Sequence, residues 1–427
     1  MSAIWSRAAG LSGLLFAIAL GACSGPRGRP QVLEFWAMGR EGEVVTALTR
    51  EFEAANPGVR VDVQQIPWEA AHEKLLTAFV GDATPDLAQI GNTWIPELAT
   101  LGALEGLDAR VAASTAIQPH DYFPGIWATN VVDAHLVGVP WYVDTRLLFY
   151  RRDLLAQAGF ARPPASWSEW RQMMVAVKER AGPDHYAVLF PTNEFEPLLL
   201  LGLQQGEPLL REGGRRGNFR SPGFRRALRY YAETFERELA PRLSNTSVSN
   251  VWDEFARGYF TFYITGPWNI GEFKRRLPEA LQGSWMTAPM PGPAGPGTST
   301  AGGSSLVVFA HSPRKDAAWK LVEFLSRPDV QRRFYALSGN LPPRRSSWED
   351  PALQADPYAA AFQQQLERVE PTPAVPEWQH IAVQLRVISE QLAYGRISVD
   401  DAAAELDARA DQILEKRRWI LDREGSR

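Results

Sequence analysis

Residues 31–63 read QVLEFWAMGREGEVVTALTREFEAANPGVRVDV, and this stretch decides the fold. An apolar run ending at Trp36 is typical of a buried strand. The next apolar residues recur at helical spacing on one face: Val44, Val45, Leu48, Phe52 and Ala55. Asn56-Pro57-Gly58 ends this helix, and alternating valines at 59, 61 and 63 predict a second strand. Strand, helix and strand in this order predict a parallel pair covered by a helix.

The same pattern continues towards the middle of the chain. A helix through Leu75, Leu76 and Phe79 leads to a strand from Asp86 to Ile90. This β-α-β-α-β order predicts an α/β fold with a mainly parallel sheet flanked by helices. Ligands of such sheets bind at the carboxyl ends of the strands, which places a site at the 37–41 and 92–94 loops.

The length of the chain indicates two lobes. At 427 residues, it is too long for one ordinary hydrophobic core. Further strand-like and helix-like segments follow residue 137, and the stretch from Pro289 to Gly303 is rich in Pro, Gly, Ser and Thr. Such a composition is typical of a loop, and here it predicts a crossing between the lobes.

The N-terminus has the pattern of a targeting segment. Arg7 precedes an apolar run from Leu11 to Leu20, which is too short to span a bilayer, and Leu20-Gly21-Ala22-Cys23 follows. Small residues before a cysteine resemble the lipobox of bacterial lipoproteins. An ordinary signal peptide with an incidental cysteine is the alternative. Because Cys23 is the only cysteine, it forms no intramolecular disulfide, and we expect lipidation there.

Composition and motifs argue against several classes of function. The net charge of −4 predicts no strongly basic face, so nucleic acid is not expected as a partner. The six histidines are scattered and lack metal-ligand spacing, so no metal site is expected. The chain has neither a nucleophile elbow nor a phosphate-binding Walker loop. We therefore expect neither a catalytic residue nor a cofactor.

Aromatic residues in loops provide the positive signal. The chain has 15 Trp and 20 Phe, and several stand at Gly- or Pro-marked positions: Trp94, Trp141, Trp268 and Trp378. Flat rings match the apolar faces of a sugar, while carboxylates, amides and arginines match its hydroxyl edges. The following polar residues lie near these loops: Arg40, Glu41, Asn92, Asp144, Glu194, Glu196 and Arg344.

Five segments, in this order, resemble the extracellular solute-binding proteins that serve bacterial ABC sugar importers. They are residues 35–63, TPDLAQIGNTW at 84–94, the crossing GVPWYVDTRLLFYRRDLLAQAG at 138–159, FARGYFTFYITGPWNI at 255–270 and AGGSSLVVFAHSPRKDAAWKLVEFL at 301–325. The resemblance implies two α/β lobes joined by a hinge of several crossings. Expected boundaries are a signal peptide at 1–22, a tether at 23–30, lobe 1 at 31–143 and 304–350, and lobe 2 at 144–303 and 351–427.

The resemblance to maltose- and trehalose-type members also implies which residues bind the ligand. Lobe 1 and the crossings are expected to supply Arg40, Glu41, Asn92, Trp94, Tyr142, Asp144, Gly303 and Arg344. Lobe 2 is expected to supply Glu194, Glu196, Trp268 and Trp378. Gly302-Gly303 also suits the tight geometry of a crossing.

The expected function is binding, not catalysis. The resemblance implies a monomer that captures a disaccharide of the α-glucoside type outside the cytoplasm and passes it to permease subunits. The lipid anchor would hold it to a membrane. A different solute, such as a glycerol phosphodiester or an oligosaccharide, is one alternative, and a secreted carbohydrate-active hydrolase is another.

Overall fold

The computed structural model describes residues 30–248 and 250–424, so Cys23 and the predicted signal peptide lie outside the described residues. The strands are β1 Gln31–Met38, β2 Val59–Ile66, β3 Leu87–Gly91, β4 Val131–Val132, β5 His135–Leu136, β6 Val139–Val143, β7 Leu147–Arg151, β8 Tyr186–Leu189, β9 Leu210–Arg211, β10 Arg216–Gly217, β11 Phe260–Thr265, β12 Trp285–Ala288, β13 Ser299–Thr300, β14 Gly303–Val308 and β15 Val369–Glu370.

Helices alternate with these strands and cover both main sheets. They are α1 Gly39–Ala55, α2 Trp68–Val80, α3 Ile95–Thr100, α4 Asp108–Ala113, α5 Pro124–Ala128, α6 Arg152–Gln157, α7 Trp167–Ala181, α8 Glu196–Leu203, α9 Pro222–Glu236, α10 Val251–Ala256, α11 Trp268–Arg276, α12 Lys315–Leu325, α13 Pro328–Ser338, α14 Pro351–Ala355, α15 Pro357–Leu366, α16 Trp378–Ala393, α17 Val399–Ile413 and α18 Glu415–Glu424. Within 30–248 and 250–424, every helix is too short or too polar to cross a bilayer.

Two sheets organise two lobes. The sheet of lobe 1 has the order β2-β1-β3-β14-β6, and the sheet of lobe 2 has the order β12-β7-β11-β8. Lobe 1 buries apolar side chains on both faces of its sheet, including Phe35 and Leu48 on one face and Met38 and Ile90 on the other. The alternating strands and helices predicted from residues 31–90 are present, so the α/β class is confirmed.

The expectation of mainly parallel sheets is met in strand direction, with one reversed strand in each sheet. β1 is parallel to β2 and β3, and β8 is parallel to β11. By contrast, β14 is antiparallel to β3 and β6, and β7 is antiparallel to β11 and β12. β7 and β14 each start where the chain arrives from the other lobe, at the edge where the neighbouring strands end. A strand that enters a sheet from that edge must run opposite to its neighbours, so both sheets are mixed.

The chain segments that link the lobes lie side by side. Residues 144–146 join β6 of lobe 1 to β7 of lobe 2, and residues 301–302 join β13 to β14. Asp144 N donates to the Gly302 carbonyl at 3.0 Å, and Val143 N donates to the Leu341 carbonyl at 2.9 Å. β15 pairs in parallel with β13, the strand directly before the second crossing. These segments form a narrow hydrogen-bonded hinge beneath the space between the lobes.

Candidate functional site

A cavity of about 550 Å³ lies between the lobes, above the hinge. Its walls come from the ends of strands and the starts of helices in both lobes, as the strand order predicts. The residues that line it include Glu41, Trp68, Asn92, Thr93, Trp94, Tyr142, Asp144, Arg146, Phe195, Glu196, Trp268, Gly303, Asn340 and Gln379.

Glu41 occupies the first turn of α1 on the lobe 1 side. Gly39 has a φ of +51°, which lets the chain turn sharply from β1 into α1. Glu41 is then only 8% exposed, and its Oε1 accepts a hydrogen bond from Asn340 Nδ2 at 2.6 Å. This hydrogen bond orients the carboxylate at the cavity wall, where it can accept from a ligand hydroxyl.

Trp68 and Trp94 form the aromatic part of the lobe 1 wall. Their ring centroids are 5.5 Å apart with planes at 60°, a favourable tilted arrangement. Trp94 stands just before α3, in the short turn after β3, and Trp68 begins α2 directly after Pro67. Sequence reasoning missed Trp68, although an aromatic residue after a proline at a strand end is the same signal that singled out Trp268.

Asn92 and Tyr142 form the floor on the lobe 1 side. Asn92 Nδ2 donates to Thr129 Oγ1 at 2.8 Å, and Tyr142 OH accepts from Gln89 Nε2 at 3.2 Å. Burial, together with the Glu41 carboxylate, raises the pKa of Tyr142 well above its usual value, so this hydroxyl stays protonated. Both residues line the cavity but are already held by the protein.

Trp268 forms the aromatic part of the lobe 2 wall. It begins α11 directly after Gly266 and Pro267, and its side chain is 42% exposed. The ring lies against Gly266 so closely that a Cβ there would be 1.7 Å from a ring carbon. The Arg146 guanidinium covers one face at 4.4 Å from the ring centroid. The indole is therefore held firmly while part of it faces solvent.

Asp144, Arg146 and Glu196 form a charged cluster at the hinge. Arg146 Nη1 donates to Asp144 Oδ1 at 2.6 Å, and Arg146 Nη2 lies 4.0 Å from Glu196 Oε1. Burial raises the pKa of Asp144, the Arg146 charge opposes that rise, and Glu196 adds to it. Ser299 Oγ also donates to the Arg146 carbonyl at 2.5 Å, which ties the cluster to the second crossing. Arg146 was not among the predicted ligand residues.

Gly303 and a direct bridge between the lobes complete the site. Gly303 has a φ of +138°, and a Cβ there would lie 2.2 Å from the Tyr142 carbonyl oxygen, so only glycine fits this crossing.

Above the hinge, Gln379 Nε2 of α16 donates to Thr93 Oγ1 of lobe 1 at 2.6 Å. Both side chains line the cavity, so this hydrogen bond joins the lobes beside the ligand space.

Four predicted site residues lie outside the cavity lining, which corrects those expectations. Arg40 is exposed, and its Nη2 donates to the Leu337 carbonyl. Arg344 is buried in lobe 1, where it donates to Asp121 Oδ2 at 2.6 Å and to two backbone carbonyls. Trp378 is 1% exposed because it packs in the core of lobe 2. Glu194 sits behind the wall and accepts from Asn245 Nδ2 at 3.0 Å.

The chemistry of the cavity suits a neutral, hydroxyl-rich ligand. Three carboxylates line it, and Arg146 is the one cation among the described lining residues and is already bonded to Asp144. A phosphodiester would meet this surplus of negative charge, so the phosphodiester alternative does not fit. Among residues 30–248 and 250–424, His, Asp and Glu form no group of three that could hold a metal ion.

Comparison with known proteins agrees with this geometry. The family model "Bacterial extracellular solute-binding protein" matches residues 38–332. The structure of the sugar-binding protein MalE from the phytopathogen Xanthomonas citri is 55% identical and superposes with a TM-score of 0.90, over 92% of this chain and 99% of that one.

Two curated relatives are more distant. An uncharacterised lipoprotein from the oleD 5′ region of Streptomyces antibioticus is 29% identical over 84% of this chain and 82% of its own length. The diacetylchitobiose-binding protein DasA of Streptomyces coelicolor is 24% identical over 78% and 76%. The predicted family and its two-lobed fold are confirmed. Since the family model spans residues 38–332 of 427, the chain belongs to the bacterial extracellular solute-binding proteins, which bind solutes rather than catalyse reactions.

Proposed function

We propose that this protein binds a disaccharide of the α-glucoside type, such as maltose, trehalose or sucrose, and delivers it to the permease of an ABC importer. The observation that carries the proposal is a cavity with aromatic rings on both walls and carboxylates between them. Trp68 and Trp94 form the aromatic part of the lobe 1 wall, and Trp268 forms that of the lobe 2 wall. Rings pack on the apolar faces of a sugar, and carboxylates accept from its hydroxyls. The similarity to a sugar-binding protein at 55% identity supports the same ligand class.

The size of the cavity is consistent with such a ligand. A disaccharide has about 23 heavy atoms, and about 0.3 kcal/mol per atom gives about 7 kcal/mol of binding free energy, or a Kd of about 10 μM. Pockets of ~300–1,000 Å³ are the usual range for small ligands, and the cavity of about 550 Å³ lies within it.

Calorimetric titration with maltose, trehalose and sucrose tests the proposal. At least one should bind, and Trp268→Ala should weaken that binding by roughly 1–3 kcal/mol through lost burial and stacking. Thermal unfolding of the variant is the control, because a ring that is 42% exposed contributes little to the core. A folded variant that binds the sugar as tightly as the wild type would remove Trp268 from the site. Absence of binding by all three sugars would contradict the disaccharide assignment.

Delivery to a permease requires that the protein distinguish its empty and loaded states. We infer that the lobes close on the sugar by rotation about the crossings at 144–146 and 301–302. The Thr93–Gln379 hydrogen bond would then form on closure. Small-angle scattering should show a smaller radius of gyration after the sugar is added. Tight binding with an unchanged scattering profile would contradict closure.

We also infer that Cys23 carries a lipid anchor on the outer side of the cytoplasmic membrane or in the periplasm. The small residues before Cys23 and the 29%-identical lipoprotein support this. Cys23→Ser should move the protein from the membrane fraction to the soluble fraction, or leave the precursor unprocessed. If the variant is processed to mature length and stays in the membrane fraction, the anchor lies elsewhere.

A further inference from the structure

A histidine–carboxylate pair lies behind the lobe 1 wall, outside the cavity. His72 Nε2 is 2.8 Å from Glu97 Oε2, so the ring N–H donates to the carboxylate. The two side chains are 28% and 30% exposed, and neither lines the cavity. This hydrogen bond links α2 and α3 next to Trp94, whose ring lines the cavity.

The helical spacing places His72 against the aromatic rings of the lobe 1 wall. His72 follows Trp68 by four residues on α2, so both side chains lie on the same face of that helix. The His72 ring is 5.2 Å from the Trp94 ring with planes at 42°, and Trp68 lies 5.5 Å from Trp94. The Trp94 indole therefore contacts both rings of α2.

Glu97 closes this arrangement from the other side. It lies on α3, three residues after Trp94, so its hydrogen bond to His72 ties the segment that carries Trp94 to the helix that carries Trp68. Without this bond, His72 could adopt other rotamers, and Trp94 would lose one of its two ring contacts.

We propose that His72, held by Glu97, is a positioning residue that fixes the orientation of Trp94 for the sugar; this rests on the proposed function. A stacking ring that is already oriented loses less conformational freedom when the ligand binds. His72 itself makes no contact with the sugar and acts through Trp94.

The chain offers a matched control in the same lobe. His311 Nδ1 lies 3.2 Å from Asp82 Oδ1, and its ring stacks on Phe79 at 6.4 Å. None of these three residues lines the cavity. This second histidine–carboxylate pair shares the chemistry of the first but lacks a ligand-facing ring.

A double-mutant cycle tests the proposal. His72→Ala should weaken binding of the sugar identified by calorimetry about threefold to tenfold, no more than the loss expected from removing Trp94 itself and within the range of energies for coupled contacts. In a Trp94→Ala background, the same change should have less than about a twofold effect. His72→Gln, which keeps a donor for Glu97, should recover part of the affinity, whereas His311→Ala should leave it unchanged. An equal loss from His72→Ala in both backgrounds would overturn the proposal.

A second readout needs no sugar. Acrylamide should quench tryptophan fluorescence more strongly in His72→Ala than in the wild type, and Trp94→Phe should abolish that difference. Unchanged quenching would overturn the positioning role even if no sugar bound. If quenching changes as expected but none of the tested sugars binds, the proposed function fails instead.

Discussion

The two aromatic walls of the cleft hold their rings in different ways. On lobe 1, Trp94 packs against Trp68 and His72 and belongs to the partly buried packing around the lobe's core. On lobe 2, Trp268 is 42% exposed and rests between a glycine and the Arg146 guanidinium. The lobe 1 ring is part of the packing of its lobe, whereas the lobe 2 ring is presented to the cleft. Stability and binding should therefore be coupled on lobe 1 and separable on lobe 2.

The largest effect should come from Trp94→Ala. We expect it to lower the free energy of unfolding by about 2–3 kcal/mol, since its partly buried ring packs with two others, and to weaken sugar binding about tenfold. Trp268→Ala should change unfolding by less than about 0.5 kcal/mol. Urea unfolding and calorimetry on both variants measure the contrast. Equal destabilisation by the two changes would show that the walls are not different in this way.

Gly266→Ala sharpens the lobe 2 side of the comparison. The added Cβ would lie 1.7 Å from a carbon of the Trp268 ring, so the ring must move, and binding should weaken about fivefold to tenfold. Gly271→Ala on the same helix is the control, because nothing lies within 4 Å of its added Cβ. That change should be neutral or stabilise the protein by up to ~1 kcal/mol. Equal affinities of the two variants would mean that the ring position is not set by Gly266.

The ionisation of Asp144, which is hydrogen-bonded to the Arg146 that covers Trp268, should make sugar binding depend on pH. Burial raises the pKa of Asp144, and Arg146 opposes that rise. We expect the ionised carboxylate to accept from sugar hydroxyls, so affinity should fall as pH falls through this raised pKa. Arg146→Met should shift that loss to higher pH and weaken binding about threefold at neutral pH. Calorimetry over a pH series would locate both midpoints, and identical midpoints would exclude control by Arg146.

The free energy of unfolding should also depend on the ionisation of Asp144, but with the opposite dependence on pH. A carboxyl whose pKa is raised in the folded protein favours folding at low pH, and this contribution is lost as pH rises through the folded-state pKa. Acidification through that pKa should thus weaken binding while Asp144 itself ceases to disfavour the fold.

The smallest effect should come from Arg40→Ala. Arg40 is exposed and lies outside the cavity, so sugar affinity should change less than about twofold. A larger loss, measured by the same titration, would mean that Arg40 contacts the bound sugar. The lobe 1 wall would then include a charged contact that the described arrangement lacks.

Local sequence patterns predict the fold of this chain better than its site. The apolar spacing in residues 31–63 predicted β1, α1 and β2, and all three are present. Which strand of each sheet runs in reverse, β7 and β14, was not predicted, because strand direction depends on where the chain enters a sheet rather than on local periodicity.

The sequence did not predict which of the candidate residues face the cleft. Glu41 and Arg40 are neighbours in the sequence, but α1 turns one towards the cavity and the other to solvent. Arg344 lies in a motif that resembles a sugar-binding one, yet Asp121 and two carbonyls engage it inside lobe 1. Which side chains a residue meets across the fold is a long-range property that neither spacing nor resemblance specifies.

The central position of β14 has a consequence for how the chain folds. β14 spans residues 303–308 and pairs with both β3 and β6, which end more than 150 residues earlier. During synthesis these two strands therefore have unpaired edges until residue 308 is available, and closing this long loop slows folding. The sheet of lobe 2 uses only strands between residues 147 and 288. It can thus assemble first and leave lobe 1 as the later, more aggregation-prone step.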